Sequence, residues 1–456
     1  MLIREIEIEL SLEDIFRRYS KEAGFSFLDS SLQKYGIGDF SVLCCHPWKS
    51  LTYDSGVAVV EEFGLKREVK GDPFLILKEE SVSYEESSAL PFVGGAIGYI
   101  GYDVARYYEK IPNRSEKLKS GYEMRFRYYD AGLCFDHRSD KLYAFASERV
   151  PNANELLAKQ VKLAEEAASM AGDSDPYGVG PLKSNFTVEG YVTAVDEIRE
   201  CIRRGEVYQV NLSQRFSASF RGDVAALYHN LRKLSPAPYG AYLDFGDEVI
   251  LSNSPEQFLQ SKGTELVTRP IKGTRPRGGD NAEDEQMKQS LINSQKDRSE
   301  LLMIVDLERN DMGRVCSAGS VQVKDLFAIE AYSNVFHQTA KIEGKLAGEN
   351  TALDGIKALF PGGSITGAPK IKAMEVIDYL EPVRRGVYTG SIGFIGNNGE
   401  LDFNIAIRTL RVSDGELQFN VGGGIVWDSD AKSEYEETLA KGRSMMKALS
   451  VGELVV

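Results

Sequence analysis

Histidine and cysteine are scarce. The 456 residues hold four histidines (46, 137, 229 and 337) and five cysteines (44, 45, 134, 201 and 316), with no CxxC pair. An odd, scattered set of thiols suggests neither a disulfide framework nor a zinc site, and the histidines are too few for a histidine-rich metal centre. No run of about 18 apolar residues is present, so no membrane span is expected. There is no GxSxG elbow and no short-period repeat. Positive charge is also in deficit: 54 Lys and Arg against 68 Asp and Glu give a net charge of −14. That balance argues against a nucleic-acid partner and leaves any anionic small molecule to local arginines and lysines. The start, MLIREIEIEL, alternates Ile6, Ile8 and Leu10 with Glu7 and Glu9 as a strand would, without a signal-peptide core. A cytoplasmic chain is expected.

What is present suits a soluble globular body, with 42% hydrophobic and 27% charged residues. The first 150 residues read as strand-rich, with strands near Phe25–Leu28 and Phe40–Cys45. The glycines of PFVGGAIGYIGYD (91–103) lack a GxGxxG order and suggest tight backbone packing. A helix is expected over 154–171, and GDSDPYGVGPLKSN (172–185) reads as a linker or domain boundary. Beyond it, Thr187 caps a helix carrying Tyr191, Val195, Ile198 and Ile202, with Gly205 at its stop. Val207–Ser213 alternates as a strand, with Tyr208, Val210 and Leu212 on one face and Gln209, Asn211 and Ser213 on a face expected to be wet.

Several groups could carry chemistry. Glu434, Glu437 and Lys441 share one helical stripe, as surface ion pairing or as metal ligands. Asp297 and Glu300 stand just before the apolar run LLMIVDL (301–307). Two such helices could present oxygens to Mg²⁺, which often uses one or two protein carboxylates. FPGGSITGAPK (360–370) imitates a phosphate loop but fails as a Walker A sequence, since Ala368-Pro369 follow Gly367. Its glycines and hydroxyls still precede a helix start that can bind anions. GGGIVW (422–427) reads as a second turn that exposes backbone. Lys272, in RPIKGTRPRG (269–278), is either a solvated loop lysine or a packed one with a lowered pKa.

Together these segments resemble the chorismate-utilising enzyme family. The resemblance rests on EVYQVNLSQRF (206–216), SNSPEQFL (252–259), RPIKGTRPRG, DLERNDMGRV (306–315), FPGGSITGAPKIKAMEVIDYLEP (360–382), GSIGF (390–394), DFNIAIRT (402–409), GGGIVWDSD (422–430) and EYEET (434–438). It implies an α+β fold: two large packed β-sheets with outer helices. Residues 1–171 would be the family's N-terminal region, 172–185 a linker and 186–456 the chorismate-binding catalytic region. FLDSS (27–31) departs from the LLES pattern of feedback-inhibited relatives, which argues against tryptophan inhibition.

The resemblance also implies roles. Glu300 and Glu437 would ligate Mg²⁺, supported by Asp297 and Glu434. Arg408, Tyr388 and Lys441 would hold substrate carboxylates, with the backbone of Gly422, Gly423 and Gly424 and the turn bearing Ser364 and Thr366. Glu256 would be the general acid, and His337 a site histidine, with Thr274, Gln209 and Asn211 lining the substrate. Water-adding relatives carry a lysine base where this chain has Gln209, so ammonia is the expected nucleophile. The PIKGT lysine, here Lys272, marks the branch that makes 4-amino-4-deoxychorismate, a precursor of para-aminobenzoate and folate; the anthranilate-making branch reads PIAGT. No cysteine lies in a GxCxG setting, so ammonia is expected from a separate glutamine amidotransferase subunit. A subunit that binds chorismate only to regulate a partner is the non-enzymatic reading. Trp427 departs from the small residue common after GGGIV.

Overall fold

The computed structural model describes residues 1–7, 11–33, 36–81, 83–84, 88–118, 120–167, 176–332 and 335–449. Ile8 and Leu10 of the expected first strand, and the stretch 168–175, lie outside the described residues. Of the first strand, Leu2–Ile6 is formed.

Two large sheets, of 13 and 12 strands among the described residues, make up the body. Both draw strands from distant parts of the chain. In the first, Ser26–Asp29 pairs antiparallel with Tyr239–Asp244, which continues through Glu248–Ser254 and Thr409–Ser413 to Glu416–Ile425 and Gln209–Gly222. In the second, Gly95–Ile100 pairs antiparallel with Ser391–Gly396. Here the glycine-dense stretch acts as close packing. A Cβ on Gly95 would stand 2.2 Å from the Ile395 carbonyl oxygen, and one on Gly98 2.0 Å from that of Arg125. Part of the 172–185 stretch also joins a sheet, since Tyr177–Val179 and Lys183–Ser184 pair with Gln209–Gly222.

The sheets face each other across an apolar layer. Val42, Cys44, Leu243 and Ile250 of one meet Ile97, Tyr99, Ile392 and Phe394 of the other. Helices cover the outer faces. Gln295–Gly313 and Ala352–Leu359 bury Leu301, Val305 and Ile356 against Phe258, Leu259 and Ile342. Ala431–Ala448 and Val224–Leu234 bury Met445 and Leu227 on the first sheet. Each fully buried side chain of this kind contributes about 1.5–3 kcal/mol.

Caps place the helices that matter for the site. Thr187 accepts the Gly190 N–H at 3.0 Å to open Val188–Arg203, and Gly205 follows it at φ +75°. Ser294 opens Gln295–Gly313, and Asp430 opens Ala431–Ala448. Asp297 and Glu434 therefore lie in opening turns, where the helix dipole favours negative charge, and Glu300 and Glu437 follow in the next turn.

Candidate active site

The expected wet face of the 207–213 strand is buried. Gln209 and Ser213 are each 1% exposed, whereas Tyr208, assigned from alternation to the apolar face, is 69% exposed. Both faces of the strand are buried over Gln209–Gln214, while Ser219, Arg221 and Gly222 at its far end are exposed, and Tyr208 precedes it at the surface. Both polar atoms of the Gln209 amide, and Oδ1 of Asn211, are buried without a hydrogen-bond partner among the described residues. Such groups cost free energy unless a ligand or water completes them. The three glycines also differ from expectation. They are not a turn but lie within Glu416–Ile425, with Gly422, Gly423 and Gly424 opposite Ser213, Leu212 and Asn211. A Cβ on Gly424 would stand 2.1 Å from Gln209 Nε2, and one on Gly422 2.9 Å from Asn211 Oδ1. A side chain at Gly424 would displace the Gln209 amide, and one at Gly422 would also crowd the Leu212 carbonyl oxygen at 2.7 Å.

Gly423 brings this strand to the carboxylates. Its added Cβ would meet Glu434 Oε2 at 3.3 Å, Lys441 Nζ at 3.6 Å and Glu437 Oε1 at 3.9 Å. Lys441 pairs with Glu437 at 2.7 Å and donates to the Gly422 carbonyl at 3.2 Å. Burial works upward on Glu437, yet the Lys441 ammonium, helped by Lys296 and Lys272, holds it below the ordinary carboxylate value. Glu434 accepts from Ser429 Oγ at 2.6 Å, and burial raises its pKa, with Glu437 adding to the rise. On the facing helix, burial raises Glu300 against the pull of Lys272 and Lys296. Asp297 is engaged by Arg275 at 2.7 Å. Among the described residues no group of three or more His, Cys, Asp or Glu side chains stands at metal-holding spacing, so the four carboxylates do not form one cluster.

Lys272 lies on the Ile271–Pro276 strand rather than in a solvated loop. Its Nζ donates to the Ser364 carbonyl at 2.8 Å. Burial lowers its pKa, although Glu300 and Glu256 favour its charged form. Glu256 is 4% exposed, and burial pushes its pKa up. The Ser364 hydroxyl, Lys272, the Ile271 amide and Arg408 oppose that rise without cancelling it. Ser364 Oγ lies beside this carboxyl, buried and, among the described residues, without a partner in ideal hydrogen-bond geometry. Thr366 differs: its hydroxyl is spent on the Gly362 carbonyl at 2.9 Å, so it shapes the turn.

Arg408 adopts φ +51° and, among the described residues, has no hydrogen-bond or ion-pair partner for its guanidinium; burial lowers its pKa, with Tyr332 and Glu256 facing it. His337 approaches Thr274 Oγ1 through Nδ1 at 2.9 Å and leaves Nε2 buried and, among the described residues, unpartnered. Burial, with Arg408 close by, lowers its pKa to about 3, so the ring is neutral. Tyr388 is 5% exposed, and burial raises its hydroxyl pKa. Trp427 is 50% exposed at the surface, with Arg199 stacked at 5.9 Å from its ring, so it does not close the interior.

Two residues escaped sequence reasoning. Glu308, inside DLERNDMGRV, is a buried carboxyl pushed up to about 8 by burial with Glu256 adding to it, and it accepts from Thr268 Oγ1 at 3.0 Å. Its place at the end of an apolar run was the available signal. Arg385, 3% exposed, pairs with Glu381 at 2.7 Å. An RR pair in a loop gives no hint that one member is interior.

The site thus brings basic groups, an elevated carboxyl and unpartnered polar atoms around one interior face, a setting for a small polyanion. The sequence pattern of chorismate binding enzymes spans residues 32–447, and the chain belongs to that family of enzymes. It is 38% identical to aminodeoxychorismate synthase component 1 of Bacillus subtilis (strain 168), over 91% of this chain and 90% of that protein. It is 36% identical to anthranilate synthase component 1 of Thermus thermophilus, over 96% of this chain and 95% of that protein. The fold is that of anthranilate synthase component I from Streptococcus pneumoniae TIGR4, with a TM-score of 0.81 and 34% identity over 91% of this chain and 93% of that one.

Proposed function

We propose that the chain acts as component I of an aminodeoxychorismate synthase, converting chorismate and ammonia to 4-amino-4-deoxychorismate. The observation that carries this reading is the interior amine of Lys272, with a lowered pKa, between Glu256 and Glu300. A lowered pKa raises the share of neutral, nucleophilic amine above that of a solvated lysine.

In this reading Arg408, Tyr388 and Lys441 hold the substrate carboxylates, with the backbone of Gly422–Gly424 and Ser364 beside them. Gln209, Asn211, Thr274 and His337 line the ring. Lys272 Nζ bonds to C2 as the C4–O bond breaks, and Glu256 gives its proton to the oxygen, which leaves as water. Ammonia then attacks C4, the C2–N bond breaks, and the lysine amine is restored. The proton shed by the new amine returns to Glu256. That carboxyl must be protonated at the start, which its raised pKa favours.

Glu300 and Glu437 suit a hard cation: Glu437 is paired with Lys441 and Glu300 is influenced by Lys272 and Lys296, none of them a bidentate arginine, and Glu300 is raised by burial and by its acidic neighbours. They would hold Mg²⁺, with Asp297 and Glu434 at its margin. When bound, the ion would neutralise the ring carboxylate and developing negative charge. Ammonia would come from a glutamine amidotransferase subunit. This chain's own thiols are poor nucleophiles, since burial raises the pKa of Cys44, Cys45, Cys134, Cys201 and Cys316.

Nearly equal identity to an anthranilate synthase component favours a second reading, in which the product is anthranilate and pyruvate. Incubation with chorismate, Mg²⁺ and an ammonium salt, with products identified by mass, separates the two. A product that keeps the enolpyruvyl group supports the first reading; pyruvate with an aromatic amine defeats it. Turnover with ammonium alone excludes a purely regulatory subunit.

A further inference from the structure

Arg385 makes no hydrogen bond to the side chains of Lys272, Glu256 or Arg408 among the described residues, yet its guanidinium joins the two walls of the site and lies 5.7 Å from the Tyr388 ring centre. Nη1 donates to the Ile365 carbonyl at 3.0 Å, in the turn whose Ser364 carbonyl holds Lys272. Nη2 donates to the Asn211 carbonyl at 2.7 Å, on the strand that carries Gln209. Nη1 also reaches Thr389 Oγ1 at 3.2 Å, next to Tyr388. Glu381 balances the charge, accepting from Nε at 2.9 Å and Nη2 at 2.7 Å, and it accepts in addition from Ser213 N and Oγ at 2.9 Å each. Tyr102 of the N-terminal region closes the guanidinium face, 4.8 Å from its ring centre. A buried ion pair is costly unless its hydrogen-bonding capacity is met, and here it is met by main-chain oxygens on opposite sides of the site.

We propose that Arg385 is a positioning residue that sets the spacing between the Ser364–Gly367 turn and the Gln209–Ser213 strand, so that Lys272 and Glu256 meet a substrate held by the facing wall. This rests on the proposed chorismate chemistry. A planar fork reaching two carbonyls and a carboxylate at once cannot be copied by an ammonium, which is a point charge on a flexible stem. Misplacement of reacting groups by about 1 Å costs on the order of 100-fold in rate.

The test compares wild type with Arg385→Lys, which keeps the charge opposite Glu381, and with the neutral pair Glu381→Gln/Arg385→Gln. Two readouts are taken on folded protein, with folding checked by circular dichroism: kcat and KM for chorismate with ammonium, and the rate of Lys272 acetylation by acetic anhydride, followed by peptide mass spectrometry. The expected result for Arg385→Lys is a fall in kcat/KM of about ten-fold or more, carried mainly by kcat, together with faster Lys272 acetylation as the Ser364 carbonyl drifts. Unchanged kinetics, with only a lower melting temperature, overturn the proposal. So does a kinetic loss with unchanged acetylation, because the spacing of the walls would then be intact. If the double variant does not fold, Arg385→Lys decides alone. Wild type that never consumes chorismate defeats the functional reading, while the acetylation readout still judges Arg385.

Discussion

Lys272 Nζ donates to the main-chain oxygen of Ser364 at 2.8 Å, and the side chain of that same serine lies beside the Glu256 carboxyl. One turn therefore holds the amine and neighbours the acid. Because both groups are buried, their pKa values move toward each other: the lysine down, the carboxyl up. Opposed shifts of this kind favour the neutral forms of the amine and the acid together.

Lys272→Ala is expected to abolish formation of 4-amino-4-deoxychorismate, and Lys272→Arg not to restore it, since a guanidinium stays protonated. Product analysis by mass checks this. Wild-type rates from Lys272→Ala would remove the covalent step.

The pH–rate profile should be bell-shaped. Its rising limb reflects loss of a proton from Lys272 and lies below the ordinary lysine value of 10.5, and its falling limb reflects ionisation of Glu256 and lies above 4.5. Because the two groups interact, the limbs belong to the pair. In Glu256→Gln the rate should drop sharply and the falling limb disappear. An unchanged falling limb would assign it elsewhere.

Glu308 should make stability depend on pH. Its folded pKa of about 8 exceeds its ordinary 4.5, so between those values the unfolded chain releases a proton that the native protein keeps. Stability from this group is complete below pH 4.5 and falls as pH rises, with the loss complete above pH 8. The change is on the order of a few kcal/mol. Melting temperatures across that range should fall less in Glu308→Gln than in wild type; parallel curves would show that Glu308 is not the source.

His337 should remain neutral across the working range. With a pKa of about 3, its ring proton resonances should be flat from about pH 5 to 9. A midpoint near 6.5 in the NMR titration would contradict its burial against Arg408.

Gly424→Ala should lower activity more than it lowers stability. The new methyl would stand 2.1 Å from Gln209 Nε2 and would force that amide from its place. Overpacking costs about 1–3 kcal/mol, while the displaced amide belongs to the proposed substrate site. Comparing kcat/KM with melting temperature checks the split, and an unaffected kcat/KM would mean that Gln209 does not face substrate.

Much of this was legible in the residues. Thr187, Gly205 and the spacing of Tyr191, Val195 and Ile198 mark a helix because caps and the 3.6 period are local properties. Failures arose where neighbours distant in sequence decide. Alternation around Val210 revealed a strand but not that its polar face would be covered by other elements. Three glycines suggested a turn, whereas they are spaced for Gln209 and Asn211 across a strand pair. Likewise, no local pattern tells Arg385 from Arg384: one is buried among carbonyls and the other is not.

The strand order bears finally on how the chain is born. Ser26–Asp29 needs Tyr239–Asp244 as its neighbour, and Gly95–Ile100 needs Ser391–Gly396. On the ribosome, the first third therefore emerges with open sheet edges whose partners have yet to be translated. Closure of both sheets must wait until most of the polypeptide exists, a topology that folds slowly and passes through aggregation-prone species. Either half made alone would leave these strands without their partners. Yield in a heterologous host should consequently respond to chaperone supply and temperature more than to the stability of the finished protein.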